Sequence, residues 1–195
     1  MIALIDYGAG NTASVANALK ALNTEFFLTN AEFNICKADK VIFPGVGEAS
    51  FTIKQLHRYN LINLLRIFRR PVLGICLGMQ LFADKSTEGN VNCLGVVPGT
   101  VDKFDSSKST VPHMGWNEVN QHKETKLFNG IKNGEYFYFA HSYYFPLNEW
   151  TTGIANHGIE FSASVEKDNY YGVQFHPEKS GDAGLMLLKN FVELV

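Results

Sequence analysis

The chain has 195 residues, 46% of them hydrophobic and 18% charged, with 3 cysteines and a formal charge of −2. This length fits one domain with its own core. The balanced charge excludes a broad basic surface for nucleic acid, and three cysteines do not form a disulfide framework. Because there is no apolar run near the ~20 residues of a membrane helix and no basic leader, we predict one cytoplasmic domain, residues 1–195, without nucleic-acid or membrane partners.

Strand and helix signals alternate in the first half of the sequence. Short apolar runs, some ending in Gly-rich turns, predict four strands, at 2–5, 26–28, 41–43 and 72–75. Apolar residues at helical spacing predict three helices, through 15–22, 53–65 and 79–82. Strands that alternate with helices are typical of a parallel sheet covered on both faces.

The second half, from about Val91, is dominated by strand signals. Runs of β-branched and aromatic residues separated by Gly and Asn predict further strands, at 96–97, 101–104, 136–139, 154–155, 161–165 and 170–175. Helical spacing of apolar residues predicts a last helix over 183–194. The expected fold class is therefore α/β: a single domain with a mostly parallel central sheet, helices on both faces and a β-rich mixed second half.

The densest chemical signal is the segment Gly74-Ile75-Cys76-Leu77-Gly78, which joins a predicted strand to a predicted helix. In a sharp strand-to-helix turn flanked by glycines, the central side chain stands clear of the sheet. Cys76 takes that place at a helix N-terminus, which favours a thiolate, and the N–H of Leu77 points to where an oxyanion would form. The segment predicts a cysteine nucleophile; a buried structural cysteine is the alternative.

A cysteine nucleophile needs a base that a third group holds in the right tautomer. Among the 6 histidines, His176 is the candidate because a predicted strand leads up to it and Pro177 follows it. Residues i and i+2 of an extended segment point the same way, so Glu178 is placed to accept from His176. The alternative is a histidine at a strand end beside a solvated glutamate, and only the fold can bring His176 to Cys76.

The turn after the third strand, Pro44-Gly45-Val46-Gly47, is a candidate anion site. Glycines at the carboxyl end of a parallel strand allow close backbone approach and exposed N–H groups, which suit an oxyanion or a carboxylate. The alternative is a turn that needs glycine only for its positive φ.

Gly8-Ala9-Gly10-Asn11-Thr12-Ala13 matches the dinucleotide fingerprint G-x-G-x-x-A. The second strand, however, ends in Thr29-Asn30, where an acidic residue for the ribose hydroxyl would be expected. The cysteines and histidines also lack the spacing of a zinc site. The sequence therefore predicts neither a cofactor nor a metal.

Together, these segments resemble the class I glutamine amidotransferases. Residues 74–80 resemble the nucleophile elbow of that class, and His176-Pro177-Glu178 resembles its His-x-Glu motif. Within the class, the resemblance is closest to glutaminase subunits that serve histidine biosynthesis. It is carried by the segments 6–11, 44–47, 112–117, 139–143 and 174–180, which span nearly the whole chain in the family's order.

The resemblance implies a role for each matching residue. Cys76 would attack the side-chain amide of glutamine, His176 would transfer the proton, and Glu178 would orient His176. The implied oxyanion hole comprises Val46, Gly47 and Leu77. The implied glutamine-binding residues are Gly45, Gln80, Glu88, His141, Ser142 and Tyr143. Helical geometry agrees for Gln80, which lies at i+4 from Cys76 on the same helix face.

The resemblance also implies a heterodimer, because the family passes ammonia to a partner (β/α)8-barrel cyclase. The implied cyclase-facing residues are Asn11, Trp116, Tyr138 and Lys179. Glutamine hydrolysis in the family is weak until the cyclase and its ligand bind, and a Gly-flanked peptide at Val46-Gly47 that can flip offers a cause. Three other interpretations stay open: a nucleotide-binding regulatory module, a glutaminase that serves another synthase, and a cysteine peptidase or related hydrolase.

Overall fold

A nine-stranded mixed sheet forms the centre of the protein. The computed structural model describes residues 1–8 and 11–195. Ala9 and Gly10, in the turn that matches the dinucleotide fingerprint, lie outside the described residues. The strands are β1 (Ile2–Ile5), β2 (Phe26–Thr29), β3 (Lys40–Gly45), β4 (Val72–Cys76), β5 (Lys85–Ser86), β6 (Val91–Asn92), β7 (Thr100–Lys103), β8 (His113–Gln121), β9 (Glu135–His141), β10 (Tyr143–Tyr144), β11 (Thr151–Asn156), β12 (Glu160–Lys167) and β13 (Tyr170–Val173).

The helices are α1 (Thr12–Ala21), α2 (Glu32–Ile35), α3 (Ala49–Arg58), α4 (Leu61–Ile67), α5 (Leu77–Gln80) and α6 (Gly181–Glu193). In the large sheet the strand order is β2-β1-β3-β4-β13-β12-β11-β8-β9. The pairings from β2 to β13 are parallel, and those from β13 to β9 are antiparallel. The other short strands form a second sheet, in the order β10-β7-β5-β6. The predicted α/β class with a mixed second half is confirmed.

Two hydrophobic cores lie on the two faces of the large sheet. In β1, Ile2 and Leu4 belong to the core that α1 and α6 cover, whereas Ala3 and Ile5 belong to the core that α3 and α4 cover. This alternation follows from the two-residue period of a strand. A strand buried on both faces is apolar throughout, which accounts for the continuous apolar runs of the first half.

Two predicted elements have different bounds in the structure. The predicted helix over 53–65 is two helices, α3 and α4, because Asn60 takes a left-handed φ of 56° that ends the helical path. The third strand continues through Pro44 to Gly45. Pro44 lacks an N–H but lies beyond the last β1–β3 pair, Leu4–Ile42, so no bond to β1 is lost there.

The predicted strand at 96–97 is wrong, and the helix predicted through 79–82 is a single turn that ends at Gln80. The two segments contact each other. The N–H groups of Val96 and Val97 donate to the same carbonyl oxygen, that of Phe82, at 2.9 Å each. The loop therefore packs on the end of α5 instead of pairing as a strand.

The sequence pattern missed β8, which spans His113–Gln121. Its apolar and polar residues face the opposite way from those of an ordinary half-buried strand. Met114 and Trp116 are 67% and 56% exposed, whereas His113 is buried. With exposed apolar and buried polar residues, the segment lacks the alternation that places apolar side chains toward a core. The two-residue hydrophobic period therefore does not predict this strand.

Glycines allow β3 to lie against the turn that follows β4. A Cβ at Gly45 would lie 2.5 Å from the N atom of Gly78, and one at Gly74 would lie 2.7 Å from the N atom of Met79. A Cβ at Gly78 would overlap the carbonyl oxygen of Phe43. These are backbone contacts that no rotamer change can relieve, so the turn after β4 requires these glycines.

We expect Gly78→Ala to lower the free energy of unfolding by about 3 kcal/mol, because the new Cβ must displace the β3 backbone. Gly130→Ala is the matched control. Gly130 has a φ of 72° and open space around its Cβ position, so this variant should lose only the conformational cost, about 1 kcal/mol. Denaturant unfolding of both variants measures the difference. Equal losses would contradict the steric explanation.

Candidate active site

Cys76 and His176 meet because β4 and β13 are parallel neighbours. Their register pairs Val173 with Ile75. The chain therefore leaves both strands at the same edge of the sheet, with Cys76 one residue and His176 three residues past this pair. The fold thus places the two side chains close enough for Cys76 to act on the pKa of His176.

Cys76 lies in a sharp turn between β4 and α5. Its backbone has φ 54° and ψ −111°, a conformation that L residues rarely adopt. This conformation turns the side chain out of the sheet and places the N–H of Leu77 directly after the sulfur-bearing residue. Because α5 is a single turn, the helix-dipole support expected from the sequence is smaller than for a full helix.

His176 lies between Cys76 and Glu178. Its Nδ1 is 2.9 Å from Oε1 of Glu178, and both side chains are almost fully buried. Burial would lower the pKa of His176, but the interactions of His176 with Cys76 and Glu178 raise it to about 10. The extended geometry predicted for this contact is wrong, because Pro177–Lys179 form a 3₁₀ turn.

Strand β9 fixes the backbone that carries His176. The N–H of His176 donates to the carbonyl oxygen of Tyr138 at 2.8 Å. In return, the N–H of Tyr138 donates to Oγ of Ser180 at 3.0 Å, and this hydroxyl donates to the carbonyl oxygen of His176 at 2.7 Å. Three hydrogen bonds therefore hold the histidine turn against β9.

A cavity of about 280 Å³ opens beside the sulfur. It is lined by Val46, Gly47, Cys76, Leu77, Gln80, Glu88, Pro112, Met114, Ala140, His141, Ser142 and Tyr143. The fold thus brings together the residues predicted for an oxyanion hole and all but one of those predicted to bind glutamine. The exception is Gly45, which is buried in β3 against the backbone of Gly78. Its position supports a packing role and not a ligand contact.

Glu88 is the acidic residue of this cavity. Its Oε2 accepts from the N–H of Ala49, the first residue of α3, at 2.8 Å. Burial raises the pKa of Glu88, although this hydrogen bond opposes the shift. The carboxylate is thus held in place at the cavity wall, where the sequence alone indicated only a charged loop residue.

A buried amide pair lies behind the sulfur. Nε2 of Gln80 donates to the carbonyl oxygen of Tyr143 at 2.7 Å and to Oε1 of Gln174 at 2.9 Å. Nε2 of Gln174 lies 3.6 Å from Sγ of Cys76. The sequence analysis assigned no separate role to Gln174; its place two residues before His176, directly after the strand that pairs with β4, is the signal that could have directed attention to it.

A chain of polar side chains crosses from β8 to the cavity. Nδ2 of Asn117 lies 3.2 Å from Nε2 of His113, Nδ1 of His113 lies 2.9 Å from Nε2 of His141, and Nδ1 of His141 lies 2.7 Å from the carbonyl oxygen of Tyr143. A carbonyl oxygen can only accept, so His141 carries its proton on Nδ1 and His113 also carries its proton on Nδ1. Burial lowers the pKa of His113 to about 4 and that of His141 to about 3.

Three of the four predicted partner-facing residues form one cluster. Trp116 and Tyr138 are opposite each other in the β8–β9 register, with ring centroids 6.2 Å apart. Nζ of Lys179 lies 5.8 Å from the centroid of the Tyr138 ring. The fourth residue, Asn11, donates from Nδ2 to Oε1 of Glu178 at 3.2 Å, and so contacts the same carboxylate oxygen as His176.

Within residues 1–8 and 11–195, no three His, Cys, Asp or Glu side chains are grouped to hold a metal ion. Of the helices that the structure describes, none has the length and apolar character to cross a membrane.

Comparison with known proteins agrees with this geometry. The family model for glutamine amidotransferase class-I matches residues 3–194. The fold is similar to a solved glutamine amidotransferase, with a TM-score of 0.75, 18% identity and coverage of 98% of this chain and 99% of that one. It is also similar to PurLQS from Thermotoga maritima, with a TM-score of 0.73, 17% identity and coverage of 97% and 96%. The chain belongs to the class I glutamine amidotransferase family.

Two relatives narrow the comparison within that family. The imidazole glycerol phosphate synthase subunit HisH of Bacteroides fragilis is 48% identical over 195 residues, and the alignment covers 99% of each chain. The HisH subunit of Escherichia coli K12 is 44% identical over 194 residues, again with 99% of each chain covered. These similarities extend over the full length, including β8 and β9.

The buried histidines predict an acid-sensitive fold. An unfolded histidine binds a proton near pH 6.5, whereas His113 does so only near pH 4 in the native state, so stability is present above pH 6.5 and is lost as the pH falls toward 4. Each pKa unit is worth about 1.4 kcal/mol. The loss of unfolding free energy between pH 7 and pH 4 should therefore be about 3 kcal/mol smaller in His113→Asn than in the native sequence.

Urea unfolding at a series of pH values measures this difference. His122→Asn is the control, because it removes an exposed histidine outside the cluster. This control should keep the native pH dependence. If His113→Asn also kept it, the histidine would not be held neutral by its surroundings.

Proposed function

We propose that the chain is the glutaminase subunit of an imidazole glycerol phosphate synthase and that it supplies ammonia for histidine biosynthesis. The observation that carries this proposal is the placement of Cys76 and His176 at one edge of the sheet, with Nδ1 of His176 2.9 Å from Oε1 of Glu178, beside a cavity of about 280 Å³ that Cys76 lines. The similarity to HisH subunits over the full length supports the same assignment.

The pKa of His176 is raised to about 10, so the imidazole holds the proton that Cys76 gives up when it attacks as the thiolate. The thiolate attacks the side-chain carbonyl carbon of glutamine, and the electron pair of the C=O bond moves to oxygen. The N–H groups of the nucleophile turn and the Gly47 turn stabilise this oxyanion. His176 gives its proton to the leaving nitrogen, so that ammonia and a thioester form. A water molecule, deprotonated by His176, then hydrolyses the thioester to glutamate.

The cavity suits a small polar amino acid. Its volume is at the lower end for ligand pockets, which are typically about 300–1,000 Å³. Glu88 supplies a negative charge for the α-ammonium group, and the strip His141-Ser142-Tyr143 supplies backbone groups. Both N–H groups of the Gln80 amide are used within the protein. Gln80 therefore contacts glutamine only through its oxygen, as an acceptor.

The partner in this function is the cyclase subunit, which the family resemblance describes as a (β/α)8 barrel. Met114 and Trp116 are exposed apolar residues on β8, beside the Tyr138–Lys179 contact. Met114 also lines the cavity, so a partner on this face would lie next to the place where ammonia leaves. Asn11 would connect such a partner to the triad through Glu178.

The Gly47 peptide is the candidate for activation by the partner. Gly47 has a φ of 97° and open space on its Cβ side. In the part of the chain that the structure describes, its N–H donates to no hydrogen bond. A peptide without such a bond has no fixed direction, so the oxyanion donor at this position is completed by the contacts of the assembled enzyme.

Cys76→Ala should reduce ammonia release from glutamine by at least about 1,000-fold in the assembled enzyme, because no other group can form the thioester. Cys36→Ala, which removes an exposed cysteine, is the control and should keep the native rate. Mass spectrometry after treatment with a glutamine-analogue affinity label should find the adduct on Cys76. An adduct on another residue would favour a different hydrolase.

The isolated chain should release ammonia about 100-fold more slowly than the complex with the cyclase subunit and its ligand, the typical cost of one missing oxyanion donor. Steady-state ammonia release before and after mixing measures this ratio. Equal rates in the two states would refute activation through the Gly47 peptide.

A further inference from the structure

The orientation of the Gln174 amide can be deduced from one backbone group. The carbonyl oxygen of Tyr143 can only accept, so the Gln80 side chain must face it with Nε2. The second N–H of this nitrogen points to Gln174 at 2.9 Å, which requires an oxygen there. Oε1 of Gln174 is thereby assigned, and its Nε2 faces the sulfur of Cys76 at 3.6 Å.

The reverse orientation is unfavourable at two places. It would put the two Nε2 groups of Gln80 and Gln174 against each other, donor to donor, and it would put an oxygen against the sulfur. Gln174 is fully buried and Gln80 is 4% exposed, so water cannot replace the lost hydrogen bonds. A buried donor left unpaired costs about 1–3 kcal/mol, and the amide of Gln174 therefore has a single stable orientation.

We propose that Gln174 is a further catalytic residue of this site: its N–H donates to the Cys76 sulfur and stabilises the thiolate, while Gln80, anchored on the Tyr143 carbonyl, acts as the positioning residue for that amide. This inference rests on the proposed function, in which Cys76 is the nucleophile. A hydrogen bond to the charged form of a group favours that form. Gln174 supplies such a hydrogen bond to the Cys76 thiolate, and its amide carries no charge itself.

The position of Gln174 separates it from substrate binding. It does not appear among the residues of the described chain that line the cavity, whereas Gln80 does. Loss of the Gln174 donor should therefore lower kcat of the assembled enzyme about tenfold or more and change KM for glutamine by less than about twofold. Loss of Gln80 should raise KM as well.

Alkylation of the thiolate by iodoacetamide tests the proposal directly on the isolated chain. The background is Cys36→Ser, which removes the exposed thiol; Cys93 is buried, and burial raises its pKa to about 12. In this background Gln174→Glu places a carboxylate against the sulfur, and Gln174→Met removes the donor without adding charge. We expect the pH midpoint of alkylation to rise by about one unit in Gln174→Glu and by a smaller amount in Gln174→Met.

The matched control is Gln121→Glu. Gln121 is a half-buried glutamine whose Nε2 donates to the carbonyl oxygen of Ile131 at 2.8 Å, far from the sulfur. This control loses the same kind of bond and gains the same charge, so its alkylation midpoint should be that of the native sequence. If the midpoints of both Gln174 variants also stayed at the native value, the proposal would be wrong.

The other titratable groups near the sulfur are unchanged by these substitutions. They are His176 with Glu178, Tyr7, whose pKa burial raises to about 12, and His141 and Glu88 across the cavity. A midpoint shift in the Gln174 variants, absent from the control, therefore reports the amide.

If neither Gln174→Glu nor Gln174→Met folds, NMR of the native protein tests the same proposal without a substitution at position 174. In ¹⁵N-glutamine-labelled native protein, the side-chain amide resonance of Gln174 should shift when Cys76 is alkylated, because the anionic acceptor is lost, and that of Gln121 should not. An unmoved Gln174 resonance would overturn the inference. Midpoint shifts in a protein that releases no ammonia in its complex would instead contradict the proposed function, and with it the catalytic role of Gln174, while the hydrogen bond from Gln174 to the sulfur would stand.

Discussion

The parallel pairing of β4 with β13 is the constraint on which the site depends. It aligns Ile75 with Val173, so the two segments that follow these strands begin at the same edge and carry Cys76 and His176 to one site. Parallel strands of this kind occur where both faces of a sheet are covered, and here the two cores cover them. The meeting of Cys76 and His176 at one site is therefore a product of the whole fold and not of any local motif.

A second layer of the site is built from hydrogen bonds with a fixed direction. The Tyr143 carbonyl oxygen accepts from both His141 and Gln80. Because it can only accept, it sets the tautomers of two histidines on one side and the orientation of two amides on the other. The chain from Asn117 to the Cys76 sulfur thus has a single arrangement, and it connects β8, where the exposed apolar residues lie, with the nucleophile.

The sequence predicted the parts of the fold that obey simple periodicity. The strands buried on both faces and the nucleophile turn at Cys76 could be predicted because continuous apolar runs and closely flanking glycines are compatible with few local structures. Strand β8 could not, because it buries His113 and exposes Trp116. The contacts of Gln174 could not be predicted either, although the segment 174–180 entered the family resemblance, since a glutamine at a strand end carries no pattern of its own. Its importance comes from two contacts that exist only after β13 pairs with β4.

The backbone of Cys76 has an evolutionary consequence. Its φ of 54° and ψ of −111° belong to a region that glycine enters without steric penalty and that costs other residues about 1–3 kcal/mol. The proposed role of Cys76 as nucleophile gives a reason for a side chain there. In a descendant that had lost this proposed role, glycine would be the stabilising replacement, so an elbow reading Gly-Ile-Gly-Leu-Gly would mark that loss.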